Sequence, residues 1–261
     1  MKVVILCGGQ GTRLREETEY RPKPLVPVGE MPILWHIMKI YSHFGFKDFI
    51  LCLGYKGEMI KDYFLKFEEL ANDFTLNLRS NSERVYHHRK EQLEDWRITF
   101  VNTGQKNQTG SRVAQIKEFI GEDDNFLLTY GDGVAQIDLD KLVAFHLKHG
   151  KIATMTGVRP PSRFGEIVAE GNRIISFNEK PSVAQGYING GFFVFKRQIF
   201  DFLSLDEDCA LERKPLEAIV KKGELMMHPL DTYWHCMDTY RDNLLLNDLW
   251  ESGKAPWKVW G

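Results

Sequence analysis

The residues best placed for chemistry lie near the amino terminus. There the run KVVILC breaks into GGQGTR, so Arg13 follows Gly8, Gly9 and Gly11. Lacking a Cβ, glycines let the backbone approach an anion and take dihedrals closed to other residues. Thr12 and nearby amides can donate hydrogen bonds, and the Arg13 guanidinium can hold phosphate oxygens with its fork. Downstream, RPKPLVPVG sets Lys23 between Pro22 and Pro24, which fix φ on either side and disfavour helix. A lysine held in this way is positioned to neutralise phosphate. Taken singly, the first stretch also fits a plain tight turn and the second a surface lysine; their proximity favours a phosphate site. The familiar nucleotide motifs do not fit. A dinucleotide fingerprint needs G-x-G-x-x-G, whereas the order here is G-G-x-G with Arg13-Leu14 at the third glycine's place, and no G-x-x-x-x-G-K-[ST] occurs.

Carboxylates appear further along. NFLLTYGDGV ends an apolar run in Gly131-Asp132-Gly133, leaving the Asp132 carboxylate uncrowded at a strand end. Mg²⁺ takes one or two carboxylates together with substrate phosphates and water, so a second carboxylate is expected from elsewhere. WHCMDTYRD supplies Asp238 just before a helix; by itself Asp238 reads as that helix's N-cap, and Asp242 as a surface helix residue. In VNTGQKNQTGSRVAQ, Thr109, Gly110 and Ser111 can cap a helix and read a base edge, with Asn107 a weaker contributor. Arg112 falls in that helix's first turn, where a cation opposes the dipole. It therefore wants an anionic or carbonyl partner, or else faces solvent. SRFGEIV, FNEKP and INGGFF bring Gly165, Glu179, Lys180, Asn189 and Gly190. Carboxylate and amide groups suit sugar hydroxyls and Lys180 suits a 1-phosphate, although GNRI and NGGF also read as hairpin turns.

These residues need a scaffold that gathers distant loops. The first half alternates strands (KVVILC, DFILCLG, WRITFVN, NFLLTYG) with helices (PILWHIMKIYSHFG, KGEMIKDYFLKF, SRVAQIKEFIG). That rhythm predicts an α/β fold, a Rossmann-like doubly wound, mostly parallel mixed sheet with helices on both faces. Beyond Gly150 the chain turns strand-rich and closes with helices at LERKPLEAIVKKG and DTYRDNLLLNDLWESG. No linker separates the halves, so 1–261 reads as one domain: a nucleotide-binding half over about 1–135, a sugar-binding half over about 136–240, and a C-terminal helix and aromatic tail over 239–261. RSNSERVYHHRKEQLEDW reads as a protruding loop or hairpin, and its His87-His88 pair points to opposite faces rather than to one metal.

With 43% hydrophobic and 27% charged residues among 261, the composition is that of an ordinary globular protein. A net charge of −2 without like-charge blocks argues against nucleic-acid or polybasic membrane partners. The apolar runs are too short for a membrane span or a signal-peptide core. Cys7, Cys52, Cys209 and Cys236 lack paired spacing, which points to reduced thiols and a cytoplasmic location rather than disulfides or zinc.

Taken together, LCGGQGTRL…RPKPLVPVGEMPILWHIM resembles the signature of the sugar-1-phosphate nucleotidylyltransferases. The similarity runs on through GYKGEMIKDYF, TYGDGV, INGGFFV, MDTYRD and WESGKAPWKVW, essentially the whole chain. The middle and carboxy-terminal segments are similar to the cytidylyltransferase branch. The resemblance implies CTP and glucose 1-phosphate as substrates, CDP-glucose and pyrophosphate as products, and direct displacement assisted by Mg²⁺ on Asp132 and Asp238. It assigns catalysis to Arg13, Lys23 and Asp132. Nucleotide contacts fall to Leu6, Gly8, Gly9, Gln10, Gly11, Thr12, Arg13, Lys23, Asn107, Thr109, Gly110, Arg112 and Gly131. Sugar-phosphate contacts fall to Gly165, Glu179, Lys180, Asn189 and Gly190. It further implies a homo-oligomer, a hexamer, serving deoxysugar synthesis for surface polysaccharide. The nearest rival is a pyrophosphorylase of the same class using UTP, dTTP or another phosphorylated substrate. Two other classes fare worse, since a non-catalytic nucleotide-sugar sensor has no need of the metal pair and a Rossmann oxidoreductase requires a different glycine order.

Overall fold

The computed structural model describes residues 1–80, 84–87, 94–159, 166–178 and 186–261. Among these residues the central sheet has eight strands: β1 (Val3–Cys7), β2 (Asp48–Leu53), β3 (Arg97–Asn102), β4 (Asn125–Tyr130), β5 (Ala153–Val158), β6 (Ile188–Asn189), β7 (Phe193–Lys196) and β8 (Leu225–Leu230). β1 lies between β2 and β4, with β3 outside β2, and all four run parallel. β7 joins β4 antiparallel, β5 joins β7 antiparallel, and β8 runs parallel along all of β5. The helices that position the site are α1 (Ile33–His43), α2 (Gly57–Leu65), α3 (Thr109–Gln115), α4 (Leu139–His149), α5 (Lys214–Lys221) and α6 (Tyr240–Glu251). The expected mixed, mostly parallel sheet with helices on both faces is the one that forms.

The reason is visible in β1. Its VVILC is buried at every position, because alternate side chains feed two cores. Val3, Ile5 and Cys7 pack with Ile33, Ile37 and Leu139 on one face, while Val4 and Leu6 pack with Val113, Ile116 and Leu216 on the other. β2 repeats the division, with Phe49, Leu51 and Leu53 on the first face and Ile50 and Cys52 on the second. Each fully buried aliphatic side chain of this kind contributes about 1.5–3 kcal/mol.

Turns resolve differently in different places. Since β8 takes one edge of β5, both β6 and β7 share the other edge. NGGF is therefore a bulge in a continuing strand rather than a hairpin, with Gly191 at φ 74 and Phe192 at φ 48. GNRI does close a hairpin, Glu166–Glu170 pairing with Arg173–Asn178. In the polar segment, Phe74–Leu76 pairs with Arg84–Tyr86, and His87 meets Thr75 Oγ1 at 2.9 Å; His88 lies outside the described residues. The aromatic tail packs on its own core: Trp257 is fully buried, and its indole N–H donates to His36 Nδ1 at 3.4 Å. Among the described residues, no helix is long and apolar enough to cross a membrane.

Candidate active site

In a parallel sheet, the loops leaving neighbouring strand ends converge, and ligands bind at that carboxyl edge. β1 and β4 are such neighbours. Leu6 pairs in register with Tyr130, and Gly131 N–H donates to Leu6 O at 3.1 Å. A cleft of about 590 Å³ opens above them. Its lining includes Leu6, Gly8, Gly9, Gln10, Gly11, Thr12, Arg13, Lys23, Asn107, Thr109, Arg112, Gly131 and Asp132. Gly110 turns away: a Cβ there would sit 2.8 Å from Cys209 O and Sγ, so its glycine serves packing. Gly165, Glu179 and Lys180 lie outside the described residues.

The glycine loop is shaped by a side chain far along the sequence. Arg112, only 4% exposed, donates from Nη1 to Leu53 O and Thr103 Oγ1, and from Nη2 to Gly8 O and Gln105 O. A Cβ on Gly8 would stand 1.9 Å from Nη1, so any side chain at this position would displace the Arg112 guanidinium. The carbonyl-partner reading of Arg112 thus holds and the surface reading does not. Gly11, at φ 63, needs its glycine for backbone conformation. Gly9 differs, because a Cβ there would meet nothing within 4 Å; that loop position is open. Asn107 Nδ2 donates to Thr103 O at 2.6 Å, which fixes its amide to the loop's own backbone.

The carboxylates are brought together by a small ladder. Beyond β4, Gly133–Ala135 pairs antiparallel with Trp234–Cys236, Gly133 opposite Cys236, and Met237 N–H donates to Asp132 O at 2.8 Å. This register sets Asp132 beside Asp238. Lys23 Nζ lies between them, 2.7 Å from Asp132 Oδ2 and 2.7 Å from Asp238 Oδ1. Arg13 Nη1 meets Asp238 Oδ2 at 2.8 Å. Burial opposes the Lys23 charge, but Asp132's carboxylate and the hydrogen bonds to both aspartates outweigh it and raise the ammonium's pKa. Both cations, assigned from sequence to phosphates, here pair with the carboxylates.

Two readings near Asp238 change. The N-cap of α6 is Thr239, in a capping box with Asp242, so Asp238 is released from capping and faces Lys23 and Arg13. Asp242 is buried rather than a surface residue, because its carboxylate accepts from the amides of Asp238 and Thr239 and from Thr239 Oγ1. Cys236 completes a group with Asp132 and Asp238, whose ligand atoms all lie within 4.8 Å of one another. Burial, then Asp132, push the Cys236 thiol well up, so it is a poor ligand beside two hard oxygens. Such a carboxylate pair suits Mg²⁺.

Of the residues expected to contact the sugar phosphate, Asn189 donates from Nδ2 to Tyr130 Oη at 3.0 Å, and its Oδ1 accepts from Gly191 N–H at 2.9 Å. Gly190 contributes backbone: its N–H donates to Thr156 O, its carbonyl accepts from Trp234 Nε1, and a Cβ would strike Val158 at 2.5 Å. Sequence reasoning missed Tyr130, which lines the cleft, and Glu212, which accepts from Tyr130 at 2.7 Å. Tyr130 could have been found as the strand residue before Gly131-Asp132; nothing local marks Glu212.

Residues 2–239 match the family described as Nucleotidyl transferase. The chain is 46% identical over 260 residues to the glucose-1-phosphate cytidylyltransferases of Salmonella typhi and of Salmonella typhimurium, covering 100% of both chains in each comparison. Its fold matches that of a UDP-glucose pyrophosphorylase crystallised with UDP-glucose, with a TM-score of 0.69 at 16% identity, over 97% of this chain and 98% of that one. The chain belongs to the nucleotidyl transferase family, among the glucose-1-phosphate cytidylyltransferases.

Proposed function

We propose that the chain joins CTP to glucose 1-phosphate, giving CDP-glucose and pyrophosphate. The observation that carries this reading is the meeting of Arg13, Lys23, Asp132 and Asp238 beside a glycine-walled cleft. The 1-phosphate oxygen attacks the α-phosphorus in line, that P–O bond forms, and the bond to the leaving pyrophosphate breaks. Such a transfer asks little covalent chemistry of the protein, and its rate comes from alignment and charge neutralisation. The open face at Gly9 admits the triphosphate, Arg13 neutralises the departing pyrophosphate, and Lys23 neutralises the α-phosphate or the attacking one. For that, both cations exchange carboxylate partners for phosphate oxygens. Asp132 and Asp238 would hold Mg²⁺, which supplies positive charge to the phosphate oxygens. The same reading includes homo-oligomeric assembly, a cytoplasmic location and service to surface-polysaccharide deoxysugar synthesis.

The test offers purified protein CTP, UTP, dTTP, ATP or GTP with glucose 1-phosphate and Mg²⁺ while pyrophosphate is followed. Preferred release with CTP supports the reading. Preference for UTP or dTTP overturns the cytidine assignment, and no release with any triphosphate overturns catalysis.

A further inference from the structure

Glu212 bonds two residues that line the cleft, Thr109 and Tyr130. Its Oε2 accepts from Thr109 Oγ1 at 2.6 Å, and its Oε1 accepts from Tyr130 Oη at 2.7 Å. Thr109 is the first residue of α3 and follows the loop that walls the nucleotide cleft. Its hydroxyl also accepts from Leu211 N–H at 2.9 Å, so it must donate to Glu212. The neighbouring chain straps this loop in place, Gln108 N–H donating to Glu207 O and Ser111 N–H to Cys209 O. Tyr130 accepts from Asn189 Nδ2, so its own hydroxyl proton likewise goes to Glu212. Asn189 is oriented in turn, because Gly191 N–H identifies its Oδ1 as the acceptor. The protons therefore run one way, from Asn189 to Tyr130 to Glu212, and from Thr109 to the same carboxylate. Burial, then the Glu212 charge, raise the Tyr130 phenol, which stays protonated as a donor.

Glu212 itself is exposed, so it contributes little to the core. Hydrogen bonds to a charged acceptor are short and orienting, and two of them from cleft-lining residues on different elements are poorly explained by stability alone. We propose that Glu212 is a positioning residue that ties the nucleotide loop to the sugar side, aligning Tyr130 and Asn189 for the sugar 1-phosphate. This rests on the function proposed above, and it adds a residue that no local motif marks.

The test measures KM and kcat for wild type, E212A, E212Q, Y130F and the E212A/Y130F double variant. Each assay uses whichever triphosphate and sugar 1-phosphate the wild type turns over best. A wild-type preference for another pair then defeats the functional reading without touching this one. E212A and Y130F should each raise KM for the sugar 1-phosphate about tenfold, the weight of one charge-assisted hydrogen bond, with kcat within about threefold. E212Q, which keeps one acceptor oxygen, should fall between E212A and wild type. The double variant should be no worse than the poorer single one, because both act through one contact. An unchanged KM in E212A, or a multiplicative loss in the double variant, overturns the proposal. So does a fall in melting temperature that accounts for the lost activity.

Discussion

Lys23 touches both site aspartates, and the bonds span 109 and 215 positions of sequence. A single buried ammonium thus organises carboxylates that would otherwise repel each other. Asp132→Asn keeps the side-chain shape and leaves Lys23 its bond to Asp238. Pyrophosphate release should therefore drop by about a thousandfold, the scale of losing one preorganised charge, while the thermal midpoint moves little. Turnover near wild type would remove Asp132 from the chemistry. Arg112 is the other residue on which the site depends. Arg112→Met would take one donor each from the carbonyls of Gly8, Leu53 and Gln105 and from Thr103 Oγ1, leaving Gly8 O its bond from Tyr55 N–H and Leu53 O its bonds from Thr103. The expected cost is about 2–4 kcal/mol of stability, read by denaturant unfolding, with weaker nucleotide binding because the glycine loop loses its brace. A variant as stable as wild type would show that water replaces the guanidinium.

At the scale of elements, the strand pair Gly133–Ala135 and Trp234–Cys236 decides where Asp238 stands, and the start of α6 holds it there. Asp242 accepts the Asp238 amide at 3.1 Å and the Thr239 amide at 2.7 Å. Thr239→Ala removes one half of the capping box and should cost about 1 kcal/mol, a drop of about 2–4 °C in melting temperature for a domain of this size. Because the loosened turn carries Asp238, the Mg²⁺ concentration for half-maximal turnover should rise as well. A stability loss with no change in Mg²⁺ requirement would confine the cap to folding. The bulge at Gly190–Phe192 works in a similar way on Asn189, since it re-aims that residue toward Tyr130 without ending the strand.

For the molecule as a whole, two buried histidines link stability to pH. His36 donates from Nε2 to Val28 O under the tail tryptophans, and burial pushes it down to about 4. His146, held by Thr154 and Asn125, is also pushed down to about 4, by burial and then by His149 and Lys196. Unfolded, each titrates near 6.5. Above that value both states bind the same protons and the contribution is fully present. As pH falls from about 6.5 toward 4, the unfolded chain takes up protons first, so stability drops by up to about 1.4 kcal/mol per pH unit for each histidine. Melting temperatures between pH 7 and 5 should fall accordingly, and His36→Gln should flatten that slope. An unchanged slope in the variant would mean that His36 does not titrate on unfolding.

The sequence by itself determined the strands of the parallel half, the glycine loop, the proline-held Lys23, and Asp132 at a strand end. Each follows from local chemistry: continuous apolar runs buried on both faces, glycines that let the backbone turn and approach an anion, and a carboxylate between two glycines. The family likeness was legible for the same reason, since these motifs are contiguous. Only the tertiary structure decided which way the ambiguous residues turned. Asp238 faces the cleft instead of capping a helix because a strand register puts it beside Asp132 and Thr239 takes the cap. Arg112 turns inward because three unrelated loops offer it carbonyls. NGGF bulges because both its flanks pair with one edge of β5, and Glu212 gains its place from partners contributed by two other parts of the chain. Those choices depend on pairings between distant segments, which no window of sequence contains.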